Sequence, residues 1–97
     1  MLIANPASRR GKRLVHHAHR ALASRLDVCD VLLTERPGHG AELVSTHGEH
    51  YDAVFVLGGD GTVMEVAGAL AEQRLAIPIG VLAGGTGGLG SALAAAL

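Results

Sequence analysis

The sequence predicts an α/β fold: a three-layer parallel sheet with helices on both faces. Three observations carry that prediction. Ala53-Val54-Phe55-Val56-Leu57 is a continuous apolar run, the pattern of a strand buried on both faces. Short apolar runs alternate with segments of helical spacing along the whole chain, in the order β-α-β-α-β-α-β-α. Ten of the 14 glycines fall between Gly58 and Gly90, flanked by strongly apolar segments without Ser/Pro repetition, so they are not a linker.

Each element has a local reason. Met1 to Ala4 is short and apolar and reads as a strand, followed by a turn over Asn5 to Gly11. Residues 12–26 carry Leu14, Ala18, Ala21, Leu22 and Leu26 at helical spacing. Val28 to Thr34 is rich in β-branched residues and reads as a strand, ended by Glu35-Arg36-Pro37-Gly38-His39-Gly40. A short helix is expected over 41–48, with Ala41, Val44 and His47 on one side. After the strand at 53–57 and a loop at 58–61, Val63, Val66, Ala67 and Leu70 mark a helix over 62–73. Ile77 to Leu82 is a fourth strand, Ala83 to Gly88 a second glycine loop, and Leu89 to Leu97 the start of a fourth helix. In such folds ligands sit beyond the carboxyl ends of the strands, and the loops after residues 4, 34, 57 and 82 all lie at that edge.

Composition narrows the function. The chain has 97 residues, enough for one small domain with a modest core. Its net charge of −1 and its two aromatics, Tyr51 and Phe55, lack the basic footprint and stacking surface of a nucleic-acid binder, so no nucleic-acid partner is expected. One cysteine, Cys29, excludes an internal disulfide and a Cys-based zinc site. No apolar run approaches the ~20 residues of a membrane span, and the start carries no secretory pattern. A cytoplasmic setting is the expectation. The closing Ala92-Leu93-Ala94-Ala95-Ala96-Leu97 is apolar and uncapped, which reads as a cut inside a longer protein.

The central motif is Gly58-Gly59-Asp60-Gly61-Thr62, joining a buried strand to a helix. Glycines there permit positive φ and close approach of the backbone to a phosphate. The helix that follows directs its free N–H groups and positive dipole end at an anion. Asp60 is a carboxylate placed to meet Mg²⁺ on bound phosphates, and Thr62 a residue able to cap the helix. The structural alternative is a tight turn with Asp60 as N-cap. Gly84-Gly85-Thr86-Gly87-Gly88 repeats the pattern one strand later, and residues 85–90 also read as G-x-G-x-x-G, a weak match because the chain ends before the position ~20 residues on where a dinucleotide site carries its acidic residue. No standard P-loop is present. Arg9, Arg10, Lys12 and Arg13 cluster where cations oppose a helix dipole, which fits either phosphate neutralisation or a solvated surface. Glu65 is expected either to orient Asp60 or a metal, or to stabilise its own helix dipole. His16, His19, His47 and His50 lack a third ligand and read as surface residues, and Cys29 as a small core residue. No metal site made by protein ligands alone is expected.

At these residues the sequence resembles the catalytic-domain family of diacylglycerol kinases, which includes sphingosine, ceramide and bacterial lipid kinases. The resemblance rests on Asn5-Pro6-Ala7-Ser8, on Thr34 with Pro37-Gly38-His39, on Gly58-Gly59-Asp60-Gly61-Thr62 with Glu65-Val66, and on Gly85-Thr86-Gly87. It covers essentially the whole chain. The sequence departs from the family pattern at Arg9 (glycine in the family), at Met64, Gly68 and Gly88 (asparagine) and at Ala83 (proline).

The resemblance implies an ATP-dependent lipid kinase with Mg²⁺, phosphorylating a lipid hydroxyl. This chain would be its N-terminal nucleotide-binding part, cut before a C-terminal β-rich domain and inactive alone. It further implies a nucleotide site lined by Asn5, Pro6, Ala7, Ser8, Arg9, Thr34, Gly58, Gly59, Asp60, Gly61, Thr62, Val63, Met64, Glu65 and Thr86, with Asp60 catalytic. The lipid would be met through the other lobe, with any membrane contact peripheral. The apolar stripe over 89–97 calls for cover by a second chain or lobe, so a homo-oligomer is among the expected states. Two rival readings share the glycine loop: an NAD kinase-like enzyme, and a truncated non-catalytic nucleotide-binding domain.

Overall fold

The computed structural model describes residues 1–6, 9–27 and 29–82. Four parallel strands run in the spatial order β2-β1-β3-β4. They are β1 (Leu2–Ala4), β2 (Val31–Leu33), β3 (Val54–Leu57) and β4 (Ile79–Leu82). Helices α1 (Arg9–Ala23), α2 (His39–His47) and α3 (Asp60–Glu72) alternate with them, and a 3₁₀ turn (Gly48–His50) follows α2.

The side-chain period of two sorts each strand between two cores. Leu2 and Ala4 of β1 and Phe55 and Leu57 of β3 pack with Leu14, Ala18 and Leu22 of α1. Ile3, Val54 and Val56 point the other way, onto Val44 of α2 and Val66, Ala69 and Leu70 of α3. So α1 covers one face and α2 with α3 the other, which is the three-layer arrangement expected. The central strands β1 and β3 are wholly buried, and the register Leu2↔Phe55 and Ile3↔Val56 keeps like faces together. Each fully buried aliphatic side chain, such as Ile3, Leu22, Val44 or Val56, contributes roughly 1.5–3 kcal/mol.

Element bounds differ from the sequence reading where local hydrogen bonds decide them. Helix α1 begins at Arg9 rather than 12 and ends at Ala23 rather than 26. Ser24 N–H still donates to Arg20 O, but Arg25 and Leu26 both turn back on Leu22 O, and the Ser24 hydroxyl donates to Ala21 O. Helix α2 begins at His39 rather than 41, because Gly38 adopts φ 85° and turns the chain directly into it. Helix α3 begins at Asp60 rather than 62, which draws Asp60 and Gly61 out of the loop. Strands β2, β3 and β4 are shorter than the apolar runs that contain them. The predicted glycine loop at 83–88 and the helix after it lie outside the described residues, as does Val28.

Candidate functional site

The strand order places the topological switch between β1 and β3, whose exits lead to opposite faces of the sheet: β1 to α1, β3 to α3. Backbone bonds lace the carboxyl ends together there. Thr34 N–H donates to Ala4 O at 2.8 Å, its hydroxyl to the same oxygen at 3.4 Å, and Asn5 N–H to Leu57 O at 3.2 Å. The ends of β2, β1 and β3 therefore form one ledge, and the residues that follow each strand stand side by side on it.

A cleft of about 360 Å³ opens above this ledge. Asn5, Pro6, Thr34, Thr62 and Glu65 line it, five positions from three separate segments that the sequence alone singled out. Glu35, Arg36 and Pro37 complete the wall. In the sequence Glu35 and Arg36 read only as turn residues. The available signal was position: they follow a strand of a parallel sheet, at the edge where ligands bind.

The glycine loop adjoins the cleft. Gly59 is the N-cap of α3 in an extended conformation (φ −81°, ψ 177°), and its carbonyl accepts from Thr62 and Val63 N–H. Neither Asp60 nor Thr62 is therefore the cap, and no side chain caps this end. The N–H groups of Asp60 and Gly61, in the first turn, have no intrahelical acceptor, as first-turn donors do not. Among the described glycines only Gly38 has positive φ, so Gly58, Gly59 and Gly61 are not glycine for conformational reasons. Gly58 is glycine for packing: a Cβ there would lie 3.1 Å from Thr62 Oγ1. Gly59 and Gly61 have neither need, since a Cβ on either would meet nothing within 4 Å. Their bare backbone instead leaves open space in front of free N–H donors, which is what an approaching anion requires. Asp60 is exposed at the first turn of α3.

Glu65 lies beyond the first turn of α3, so it does not serve that helix's dipole there. Its Oε1 accepts from Ala41 N–H at 2.9 Å, satisfying an orphan donor in the first turn of α2. It thus pins α3 to the start of α2 and fixes one wall of the cleft. Gly40 is required for this approach, because a Cβ there would stand 3.2 Å from Glu65 Oε1. The turn from β2 into α2 is closed in parallel: Glu35 N–H donates to His39 Nδ1 at 2.9 Å, His39 N–H to Arg36 O at 3.1 Å, and the Arg36 guanidinium pairs with Glu42. That hydrogen bond raises the Arg36 pKa and holds the exposed Glu42 carboxyl below its usual value.

The other expected site residues lie elsewhere or beyond description. Val63 packs towards the core beside Val66, and Met64 points to solvent, 71% exposed. Ala7, Ser8 and Thr86 lie outside the described residues, as does the side chain of Arg9. Among the described residues no group of three His, Cys, Asp or Glu is placed to hold a metal. His19 Nε2 meets the Cys29 carbonyl at 3.0 Å, a structural bond. Burial pushes the Cys29 thiol pKa up, which suits a packing residue rather than a nucleophile.

Comparison with known proteins agrees with this geometry. Residues 1–94 match the diacylglycerol kinase catalytic domain. A Streptococcus pneumoniae relative whose name places it among lipid kinases is 36% identical over 94 residues, covering 92% of this chain and 31% of that protein. Rat (Rattus norvegicus) sphingosine kinase 1 is 35% identical over 106 residues, covering 100% of this chain and 27% of that one. The crystal structure of a diacylglycerol kinase from Bacillus anthracis superposes with a TM-score of 0.76 at 26% identity, over 88% of this chain and 32% of that one. The chain thus spans about a third or less of these relatives. A parallel sheet with its ledge of strand ends, the bare glycines before α3 and a match across nearly every residue place this chain in the diacylglycerol kinase catalytic-domain family.

Proposed function

We propose that this chain is the ATP-binding part of a lipid kinase, delivering a phosphoryl group to a lipid hydroxyl. The observation that supports it most is the cleft at the switch point, where Asn5, Pro6, Thr34, Thr62 and Glu65 converge beside the glycine loop. Phosphoryl transfer depends on positioning and charge stabilisation rather than covalent chemistry. The open Gly59 and Gly61 backbone would receive phosphate oxygens on the free N–H groups of α3, with the helix dipole adding attraction. Mg²⁺ would enter with the nucleotide, with Asp60 as its contact on this chain; among the described residues no group of three candidate ligands is present. When bound it would neutralise phosphate charge. The acceptor lipid would be met by other parts of a longer protein.

Calorimetric titration of the chain with Mg-ATP tests this reading, beside Gly59→Val and Asp60→Asn variants. A Cβ at residue 59 would meet nothing within 4 Å, so Gly59→Val is expected to fold, which circular dichroism checks, while crowding the approach to the N–H groups. Saturable binding that the valine variant abolishes is expected. Equal binding by that variant, or no binding by a folded chain, would remove the assignment. Titration with NAD in place of ATP separates the NAD kinase-like alternative.

A further inference from the structure

The segment between β2 and α2 is anchored at both ends and tied in the middle by one imidazole. At its start, Thr34 N–H donates to Ala4 O at 2.8 Å and fixes the chain to the ledge. At its end, Ala41 N–H donates to Glu65 Oε1 at 2.9 Å and fixes α2 to α3. Between these anchors Glu35, Arg36 and Pro37 form a wall of the cleft. His39, half-buried, closes the turn twice. Its ring Nδ1 accepts from Glu35 N–H at 2.9 Å, and its own N–H donates to Arg36 O at 3.1 Å. The remaining tie, the Arg36–Glu42 ion pair, joins two side chains that are both more than half exposed, and such pairs contribute little. Among the described residues His39 is the one histidine hydrogen-bonded to residues that line the cleft.

The ring bond has a chemical consequence that a backbone bond lacks. A backbone N–H only donates, so Nδ1 must be unprotonated to accept from it, and the proton of the neutral ring sits on Nε2. An imidazolium donates from both nitrogens and accepts at neither. Protonation would therefore set two N–H groups against each other where one bond now stands. The ring must then turn away, and the Glu35 amide passes to water. The charged groups around the ring are Glu35 and Arg36 in the turn, Glu42 on α2 and Glu65 reaching across from α3. Glu65 is engaged by the Ala41 N–H, whereas Glu42 lies close enough to sense a positive ring and gives it a partner other than the Glu35 N–H. A cation in the first turn of α2 also opposes that helix's dipole, which loosens the same corner.

We propose, on the reading of this cleft as a nucleotide site, that His39 is its positioning residue: the neutral ring holds the wall at 35–37, and protonation releases it. Histidine is the side chain that ordinarily changes charge between about pH 5 and pH 8. Nucleotide affinity should therefore fall as pH is lowered through that range. The ring touches no phosphate and takes no part in transfer. It acts through the Glu35 amide and the Arg36 carbonyl, which set where the wall stands.

Calorimetric titration with Mg-ATP from about pH 8 to about pH 5 tests this in wild type, His39→Asn and His39→Ala. Asn carries its carbonyl oxygen as far from Cβ as the ring carries Nδ1, and it accepts without titrating. The terminal phosphate of the nucleotide titrates in the same range, so the quantity read is the ratio of wild-type to His39→Asn affinity at each pH. That ratio should be near unity at the alkaline end and fall roughly two- to tenfold at the acid end, the equivalent of one ordinary hydrogen bond. His39→Ala, without an acceptor at any pH, should start weaker and meet wild type at the acid end. His47→Asn, at the far end of α2, should follow wild type. In nuclear magnetic resonance without nucleotide, the Glu35 amide should titrate with the His39 ring and stay still in His39→Asn. A ratio that is flat with pH, as a merely structural histidine would give, or a Glu35 amide that ignores the ring would overturn the proposal. Absence of Mg-ATP binding by a folded chain at every pH would strike the nucleotide reading and this inference with it. Binding with a flat ratio would strike the role of His39 alone.

Discussion

Replacing Glu65 should loosen the cleft wall by a measurable and ordered amount. Its carboxylate takes the Ala41 N–H at 2.9 Å in a part-buried position across two helices. A hydrogen bond to a charged partner is worth about 1.5–3 kcal/mol, and Glu65→Ala leaves the Ala41 N–H with nothing to replace it. Glu65→Gln keeps a carbonyl oxygen in reach and forfeits the charge–dipole component, about 0.3–1 kcal/mol. For a domain of this size 1 kcal/mol moves Tm by roughly 4–8 °C, so the alanine variant should melt roughly 10 °C or more below wild type, with glutamine between. Urea unfolding followed by circular dichroism gives the free energies, and native-state hydrogen exchange at the Ala41 amide reports the bond itself. Gly40→Ala provides the cross-check. Its methyl would press on Glu65 Oε1 from 3.2 Å, so it should cost less in a Glu65→Ala background than in wild type. An alanine variant within about 0.5 kcal/mol of wild type, with unchanged protection of Ala41, would refute this account of Glu65.

Two further outcomes follow from the same structure. Gly58→Ala, whose Cβ would stand 3.1 Å from Thr62 Oγ1 and displace that side chain, should lower stability more than Gly59→Ala, which faces open space and should stay within about 0.5 kcal/mol in thermal melts. Tyr51, the only tyrosine, donates its hydroxyl to Asp30 Oδ2, and that hydrogen bond raises its pKa above the ordinary value of 10.0. The raised folded pKa means the contact favours folding below the unfolded value and is lost as pH rises through the folded one. An ultraviolet absorbance titration should show the late midpoint, and Asp30→Asn should return it towards the ordinary value. A midpoint unmoved by Asp30→Asn would disprove the attribution.

Much of this molecule was written in one dimension. Apolar runs such as Val54 to Leu57 read as buried strands because they are short, rich in β-branched and aromatic residues and closed by glycines. The alternation of such runs with helical spacing required parallel strands and helices on both faces. The glycine loop after β3, and the edge it would occupy, followed from the same pattern. What the sequence could not express was adjacency. Whether β3 lies beside β1 or beyond β2 depends on the order in which strands pair, and the order β2-β1-β3-β4 is what opens the switch point and assembles Asn5, Thr34 and Thr62 around one cleft. Glu65 shows the limit most clearly. In sequence it neighbours Asp60 and the glycine loop; in space its partner is a backbone donor 24 residues away. The glycines make the same point. Composition marked Gly58, Gly59 and Gly61 alike, yet only packing shows that Gly58 makes room for Thr62 while Gly59 and Gly61 face open space. Periodicity is a property of single segments and survives translation into sequence. Hydrogen-bond partners and shared space belong to pairs of segments, and folding alone brings those pairs together.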